Sequence, residues 1–154
     1  MVKHGWFWVA AGLGVLLDQG TKHWVVSHLS LGESWPLWQG VVHITYVLNT
    51  GAAFSLFAQG TVWLRWLSVL VGLGLMTLAV VARLSVLEQW GYGLILAGTV
   101  GNGIDRFRLG AVIDFLDWRW LGFPIFNLAD VWINGGLVCL FWQYWRSRPG
   151  KRTG

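Results

Sequence analysis

The sequence predicts an α-helical membrane protein with four transmembrane helices. Of its 154 residues, 55% are hydrophobic and only 12% are charged, and the mean hydropathy is +0.55. A soluble domain of this size cannot bury so much apolar surface, so we expect one integral membrane domain over residues 1–154. Four apolar runs are each long enough to cross a bilayer as a helix. The 13 tryptophans, many near the ends of these runs, are typical of interfacial aromatic belts.

The basic residues indicate how the chain lies in the membrane. The formal net charge is +4, but the lysines and arginines flank hydrophobic runs and form no basic stripe, so we expect no nucleic-acid partner. Lys and Arg collect in cytoplasmic loops, and the compact basic tail after residue 145 therefore places the C terminus in the cytoplasm. With four spans the N terminus is cytoplasmic too, and both long polar segments lie outside.

The first apolar run covers residues 6–24 and follows Lys3, as in a secretory signal. Because no A-x-A-type cleavage site follows it, we interpret it as an uncleaved spanning helix. Asp18 and Lys22 lie four residues apart with the acid first, which favours an intrahelical ion pair. The pair either only neutralises itself or supports a functional site, and the sequence leaves both interpretations open.

Residues 25–61 are too polar and too broken to span a membrane. Residues 42–48 are rich in β-branched side chains and alternate imperfectly, which predicts a short strand. Asn49 and Gly51 then break it, where a turn with a packing role would suffice to explain both. The apolar residues 52–57 are expected to lie along the membrane interface.

The rest of the chain supplies three further spans. The second is expected over residues 62–82, the third over 90–107 and the fourth over 128–145, which includes the single cysteine, Cys139. Residues 108–127 form a second segment that does not span. One cysteine excludes an intrachain disulfide, and its apolar setting favours a small packed residue over a nucleophile.

Acidic residues are few and cluster late in the sequence. Four of the seven lie between residues 98 and 130. From the helical rise, Asp18 lies roughly 18 Å up the first helix and Asp105 roughly 23 Å up the third, in the outer half of the bilayer. Asp130 begins the fourth helix on that side, and Asp114 in the preceding segment can reach the same level. Polar residues from distant parts of the chain thus meet near the outer surface, which predicts a functional site.

Asp114 and Asp130 are the candidate catalytic pair. Two close carboxyl groups cannot both ionise cheaply, so such a pair shares a proton. One member can then take a proton from water as it attacks a peptide carbonyl, while the other protonates the carbonyl oxygen. Asp130 also has a purely structural interpretation, because Asn127 is a good N-cap with an acid at the third helical position. For Asp105 and Arg106 we expect an ion pair between neighbours that anchors the helix end.

Other chemistries are less well supported. The four histidines show no H-E-x-x-H pattern, and neither a metal nor another cofactor is expected. No G-x-S-x-G elbow is present, although a Ser–Lys hydrolase using Ser55 and Lys22 stays open. A small proton-coupled transporter is the main alternative. It predicts charged residues near the bilayer midplane and a repeat that relates the two halves of the chain, and this sequence shows neither. The Gly-x-Gly-Asp motif of presenilin-type proteases is lacking, and a purely structural membrane protein would tolerate change at Asp114.

Five motifs, in order and spread over most of the chain, together resemble the lipoprotein signal peptidases, also called signal peptidase II. The resemblance rests on Asp18-x-x-x-Lys22, Asn49-Thr-Gly-Ala-Ala-Phe-Ser55, Gly101-Asn102-Gly-Ile-Asp105-Arg106, Val112-Ile-Asp114-Phe115 and Phe123-Pro-Ile-Phe-Asn127-Leu-Ala-Asp130. Where the family usually shows Gly-Gly-Ala before Gly101, this chain has Ala97-Gly98-Thr99.

The resemblance implies a bacterial inner-membrane aspartyl endopeptidase. Such an enzyme removes signal peptides from diacylglyceryl-modified prolipoproteins, cutting just before the lipobox cysteine, and is a target of the cyclic peptide globomycin. Its outer segments form a small extracytoplasmic β-cradle and an interfacial flap, its active site lies near the outer leaflet, and we expect a monomer surrounded by membrane lipids. Asp114 and Asp130 match the catalytic aspartates of the family. Substrate-binding or supporting positions of the family match Asn49, Gly51, Asn102, Arg106, Asn127, Ala129, Asp18 and Lys22.

Overall fold

The computed structural model describes residues 4–51 and 61–148. Over these ranges it contains four α-helices and a three-stranded sheet, so the predicted combination of four helices and a small sheet is confirmed. In chain order the elements are α1 (Gly5–His28), β1 (Ser34–Trp38), β2 (Val42–Asn49), α2 (Thr61–Val81), α3 (Val86–Leu109), β3 (Val112–Asp117), a short 3-10 helix (Arg119–Leu121) and α4 (Leu128–Ser147).

The helices differ most from the sequence-based boundaries at the end of α1 and at the start of α3. Helix α1 continues to His28 instead of ending at residue 24, and α3 begins at Val86 instead of residue 90. Ser85 Oγ accepts a hydrogen bond from Glu88 N, and Glu88 Oε2 accepts one from Ser85 N, which together form a capping box. The sequence carries the signal for this earlier start in the Ser-x-x-Glu spacing of Ser85 and Glu88. In the described part of the chain, one helix is apolar and long enough by composition alone to cross a membrane, over Val62–Val81 in α2.

Helix α3 occupies the centre of the bundle and contacts the other three helices. Gly98 packs directly on the main chain of α4 at Ala129, and Gly93 packs on the main chain of α1 at Phe7. A Cβ atom at either glycine would collide with a carbonyl oxygen, so both positions need a residue without a side chain. Helix α2 approaches a third flank, where Ser68 lies beside Gly103.

The three strands form an antiparallel sheet in the order β1-β2-β3. The strand predicted over residues 42–48 is confirmed as β2, which lies in the middle and pairs Val47 with Asp114 and His43 with Asp117 of β3. Pro36 is tolerated in β1 because that strand is at the edge of the sheet. The sheet packs on the end of α1 through one apolar cluster, made of Val25, Leu29, Ile44, Ile113 and Phe115.

The segment before α4 is tied to β3 by main-chain hydrogen bonds. Phe126 O accepts from Phe115 N at 2.9 Å and from Leu116 N at 2.7 Å, and Phe126 N donates to Leu116 O at 3.2 Å. These bonds hold Asn127, the next residue, against the strand that carries Asp114.

Candidate active site

Asp114 lies in β3 with only 2% of its surface exposed. Its Oδ1 accepts a hydrogen bond from Asn127 Nδ2 at 2.6 Å, and its Oδ2 accepts one from Asn49 Nδ2 at 3.0 Å. Burial, and then the negative charge of Asp130, raise the pKa of Asp114 to about 7, against the opposing effect of these two hydrogen bonds. At neutral pH the Asp114 carboxyl group can therefore carry a proton.

Asp130 lies in the first turn of α4 and is half-buried. The capping prediction is confirmed: Asn127 Oδ1 accepts from Asp130 N at 3.0 Å, and Asp130 Oδ2 accepts from Asn127 N at 3.2 Å. The other carboxylate oxygen, Oδ1, accepts from Asn102 Nδ2 at 2.9 Å. Capping thus uses one oxygen of Asp130, while the second belongs to a network that leads to Asp114.

Two asparagines join the two carboxyl groups. Asn127 is fully buried, and its Nδ2 lies 2.6 Å from Asp114 Oδ1 and 3.0 Å from Asn102 Oδ1. Asn102 in turn donates to Asp130. The acids come from β3 and α4, but a continuous path of two side-chain amides connects them at one end of the bundle.

A buried ammonium group fixes the orientation of Asn102. Lys22 Nζ donates to Asn102 Oδ1 at 3.0 Å, to Asp18 Oδ2 at 3.0 Å and to Asp105 Oδ2 at 2.8 Å. These contacts use all three donors of the ammonium group. Because Lys22 occupies the oxygen of the Asn102 amide, the nitrogen of that amide faces Asp130. The Asp18–Lys22 pair therefore contacts the site directly, beyond holding α1.

The same ion cluster ties four elements together. Asp18 Oδ1 accepts from Ala129 N at 2.9 Å, which joins α1 to the start of α4. Asp105 Oδ2 accepts from Ile113 N at 3.2 Å, which joins α3 to β3. Gln19 was not predicted, yet its Nε2 reaches Asp18, Asp105 and a main-chain oxygen of α3. A polar residue beside Asp18 within an apolar run was the signal that could have identified it.

Arg106 does not pair with its neighbour in the described residues. Asp105 faces Lys22, whereas Arg106 donates to Gly51 O at 3.4 Å and to Asn102 O at 3.5 Å. The predicted ion pair between Asp105 and Arg106 is therefore wrong, because adjacent residues of a helix point in different directions. Arg106 instead lies between the site and the segment that follows β2.

That segment begins with a tight turn. Asn49 Oδ1 accepts from Gly51 N at 2.9 Å while Asn49 Nδ2 reaches Asp114, so the predicted turn role and a site role coincide in one side chain. Residues 52–60, which include the apolar stretch 52–57 and Ser55, lie outside the described residues. The residues that match catalytic or supporting positions of the resembled family all lie in this one connected network, whereas the alternative nucleophile Ser55 falls outside the described residues.

A second polar cluster lies at the other end of β3. Asp117 Oδ2 accepts from Thr45 Oγ1 at 2.7 Å and from Arg119 Nε at 2.9 Å. Ser34 Oγ contacts Thr45 Oγ1 at 2.8 Å and accepts from the Arg119 guanidinium at 2.7 Å. Burial alone would raise the pKa of Asp117, but the hydrogen bonds from Arg119 and Thr45 and the charge of Arg119 outweigh it and lower the pKa. His43 completes the cluster next to Ser34 at 3.2 Å.

Comparison with known proteins decides the family. The family described as signal peptidase (SPase) II matches residues 10–146, a range that includes the whole network from Asp18 to Asp130. The chain belongs to the signal peptidase II family.

Relatives and solved structures agree with this assignment. The chain is 54% identical to a lipoprotein signal peptidase of Thermosynechococcus vestitus over 151 residues, which cover 96% of each chain. It is 57% identical to the lipoprotein signal peptidase of Synechocystis over 143 residues, covering 92% of this chain and 89% of that one. A solved structure described as a bacterial membrane enzyme has a TM-score of 0.85 at 26% identity and covers 95% of this chain and 92% of its own.

Membership of this family identifies the general function of the chain. Signal peptidase II is a membrane peptidase, and the structural relative is itself a membrane enzyme. The chain is therefore a hydrolase of lipoprotein processing with prolipoprotein substrates.

Proposed function

We propose that this lipoprotein signal peptidase is an aspartyl endopeptidase in which Asp114 and Asp130 are the catalytic residues. Its substrates are prolipoproteins whose lipobox cysteine bears a diacylglyceryl group, and it cuts just before that cysteine. The proposal is carried by one observation: Asn127 and Asn102 connect two carboxyl groups, and the pKa of one of them, Asp114, is raised to about 7.

The proposed reaction uses the pair as acid and base. Asp130, at the positive end of the α4 dipole, is the ionised base that accepts a proton from water as the water oxygen attacks the scissile carbonyl carbon. Asp114 gives its proton to the carbonyl oxygen. The tetrahedral intermediate collapses as the C–N bond breaks and the leaving amine receives the proton held by Asp130, while Asp114 recovers its own from the hydroxyl. After one turnover both carboxyl groups have regained their starting protonation states, and the atoms of the water are divided between the two products.

The neighbouring residues hold the acids in place. Asn49 and Asn127 orient Asp114, Asn102 orients Asp130, and Lys22 fixes Asn102. Asp18 holds the start of α4 through the amide of Ala129. Arg106 donates to Gly51 O and so ties the end of β2 to the site.

The same proposal includes the arrangement in the membrane. The four helices span the bilayer with both termini in the cytoplasm, and the sheet and site lie at the outer leaflet of a bacterial inner membrane. The enzyme acts as a monomer without a cofactor, and globomycin inhibits it. A substrate anchored by its signal helix and two acyl chains reaches the site by diffusion in two dimensions, which supplies proximity.

The decisive experiment compares Asp114→Asn, Asp130→Asn and Asp117→Asn on a purified lipid-modified prolipoprotein. We expect the first two to lose at least about a thousandfold in rate, since each removes half of the acid–base pair. Asp117→Asn is the matched control on the same strand and should stay within about threefold of the wild type. A lipid-free precursor should be cut poorly by every variant. Substantial turnover by Asp114→Asn or Asp130→Asn would remove that residue from the catalytic role.

A further inference from the structure

Asn134 is a polar residue on an apolar surface of α4, one turn beyond Asp130. Its side chain is exposed, and its Nδ2 donates to Asp130 O at 2.8 Å. Residues four apart in a helix share a face, so Asn134 lies below Asp130 along the helix, roughly 6 Å away on the axis. Its neighbours on this face, Leu137 and Phe141, are 52% and 63% exposed.

The contacts of α4 show which way the stripe formed by Asp130, Asn134, Leu137 and Phe141 points. Ala129, Ile133 and Gly136 contact α3, and Trp132 donates to Gly14 O of α1 at 3.1 Å. With about 3.6 residues per turn, Asp130 and Asn134 lie on the flank of α4 that is turned away from α1. The stripe therefore faces the side of the bundle on which α2 lies.

Helix α3 lies between α2 and α4 and contacts both. Its contact with α4 is at Gly98 and its contact with α2 is at Gly103, on another flank. Positions 99, 102 and 106 repeat at helical spacing along the strip between these two contacts. Asn102 contacts Asp130 on this strip. We refer to the strip, with Asp130 and Asn134 along its α4 edge, as the groove.

We propose that Asn134 is a substrate-positioning residue that hydrogen-bonds the main chain of the signal peptide next to the scissile bond. This inference rests on the proposed function, in which the substrate enters from the membrane. A peptide that is to be cut must leave its helical conformation there, and its main-chain N–H and C=O groups then need partners because lipid supplies none. An Asn side chain can donate to one such group and accept from another.

A membrane-exposed Asn can also bind a second copy of the same helix, because polar side chains promote association of helices in lipid. The position of Asn134 below Asp130 and above the apolar Leu137 favours substrate contact, since the acids mark where a peptide bond must lie. Self-association is the competing outcome, and the test distinguishes it.

The test is steady-state cleavage of a lipid-modified prolipoprotein by Asn134→Leu, Asn134→Gln and the control Cys139→Ala. Cys139 lies five residues beyond Asn134 on the same helix, about 140° around its axis, and is partly buried. We expect Asn134→Leu to raise KM about tenfold, the loss typical of one or two hydrogen bonds, with kcat within about threefold. Asn134→Gln, which keeps the amide, should recover most of the affinity, and Cys139→Ala should match the wild type.

Binding without turnover gives a second readout. In an Asp130→Asn background, adding Asn134→Leu should weaken binding of a fluorescent lipid-modified signal peptide about tenfold. An unchanged KM and unchanged binding would overturn the inference, as would a shift in oligomeric state by Asn134→Leu without a change in KM. Failure of the wild type itself to cut the lipid-modified precursor would instead overturn the proposed function.

Discussion

Asp114 and Asp117 lie three residues apart in β3, on opposite faces of the strand, and both are buried. The groups around them differ. Asp117 accepts hydrogen bonds from a guanidinium and a hydroxyl group, which lower its pKa. Asp114 accepts hydrogen bonds from two neutral amides, and burial and then the charge of Asp130 raise its pKa to about 7.

In the proposed mechanism, β3 therefore carries a structural carboxyl group at one end and a catalytic one at the other. A cation beside a buried carboxylate keeps it ionised and therefore useless as a proton donor. Lys22 is buried beside the site, but it pairs with Asp18 and Asp105 and forms no ion pair with Asp114. The amides of Asn127 and Asn49 hold Asp114 in position without supplying a charge that would remove its proton.

The largest effect that tests this comparison is expected at Asn127. Asn127→Ala removes the 2.6 Å hydrogen bond to Asp114 and the link to Asn102, so the rate should fall about a hundredfold, as when an enzyme loses one preorganised donor. Ser85→Ala is the matched control, since it removes the other capping box, at the start of α3. Ser85→Ala should lose about 1 kcal/mol of stability as a cap and keep its rate. Asn127→Ala should lose more stability, because it also leaves its buried partners without a donor. Equal rates for the two variants would mean that Asn127 acts only as a cap.

The next effect is on the pH dependence of cleavage. In the proposed mechanism Asp114 donates a proton, so the rate should fall about tenfold for each pH unit above about 7. A raised pKa in the folded state also means that the contribution of Asp114 to stability is complete below the ordinary aspartate pKa and is lost as pH rises through about 7.

Asp117→Asn serves as the control for the pH profile. Its alkaline limb should coincide with that of the wild type, measured as initial rates on one lipid-modified substrate. A wild-type rate that stays constant to about two units above neutrality would contradict protonated Asp114 as the acid. Thermal unfolding of Asp114→Asn beside the wild type gives the independent check, because the stability of the variant relative to the wild type should increase as pH rises through about 7.

The sequence alone could predict four helices and could predict that Asp114 and Asp130 meet at one end of the bundle, because apolar runs and isolated acidic residues can be recognised without a structure. It could not predict that Lys22 is shared by Asp18, Asp105 and Asn102, since that cluster depends on how closely α1 approaches α3. It misassigned Asp105 for the same reason, because the nearest charge in sequence was not the nearest in space.

The smallest effect is expected at Thr45 of β2, which contacts the end of β3 that is remote from the proposed chemistry. Thr45→Val keeps the shape of the side chain but removes the hydroxyl that donates to Asp117 at 2.7 Å, which should cost about 1 to 2 kcal/mol of stability. Cleavage should stay within about twofold of the wild type.

The lowered pKa of Asp117 means that its contribution to stability is present above the ordinary aspartate pKa and is lost as pH falls through the pKa of Asp117 in the folded protein. Removing a hydrogen bond that lowers this pKa should shrink that contribution, so thermal unfolding should show a smaller loss of stability on acidification in Thr45→Val than in the wild type. A large loss of cleavage in this variant would mean that the two ends of the strand are coupled, and that the separation between a structural and a catalytic carboxyl group does not hold.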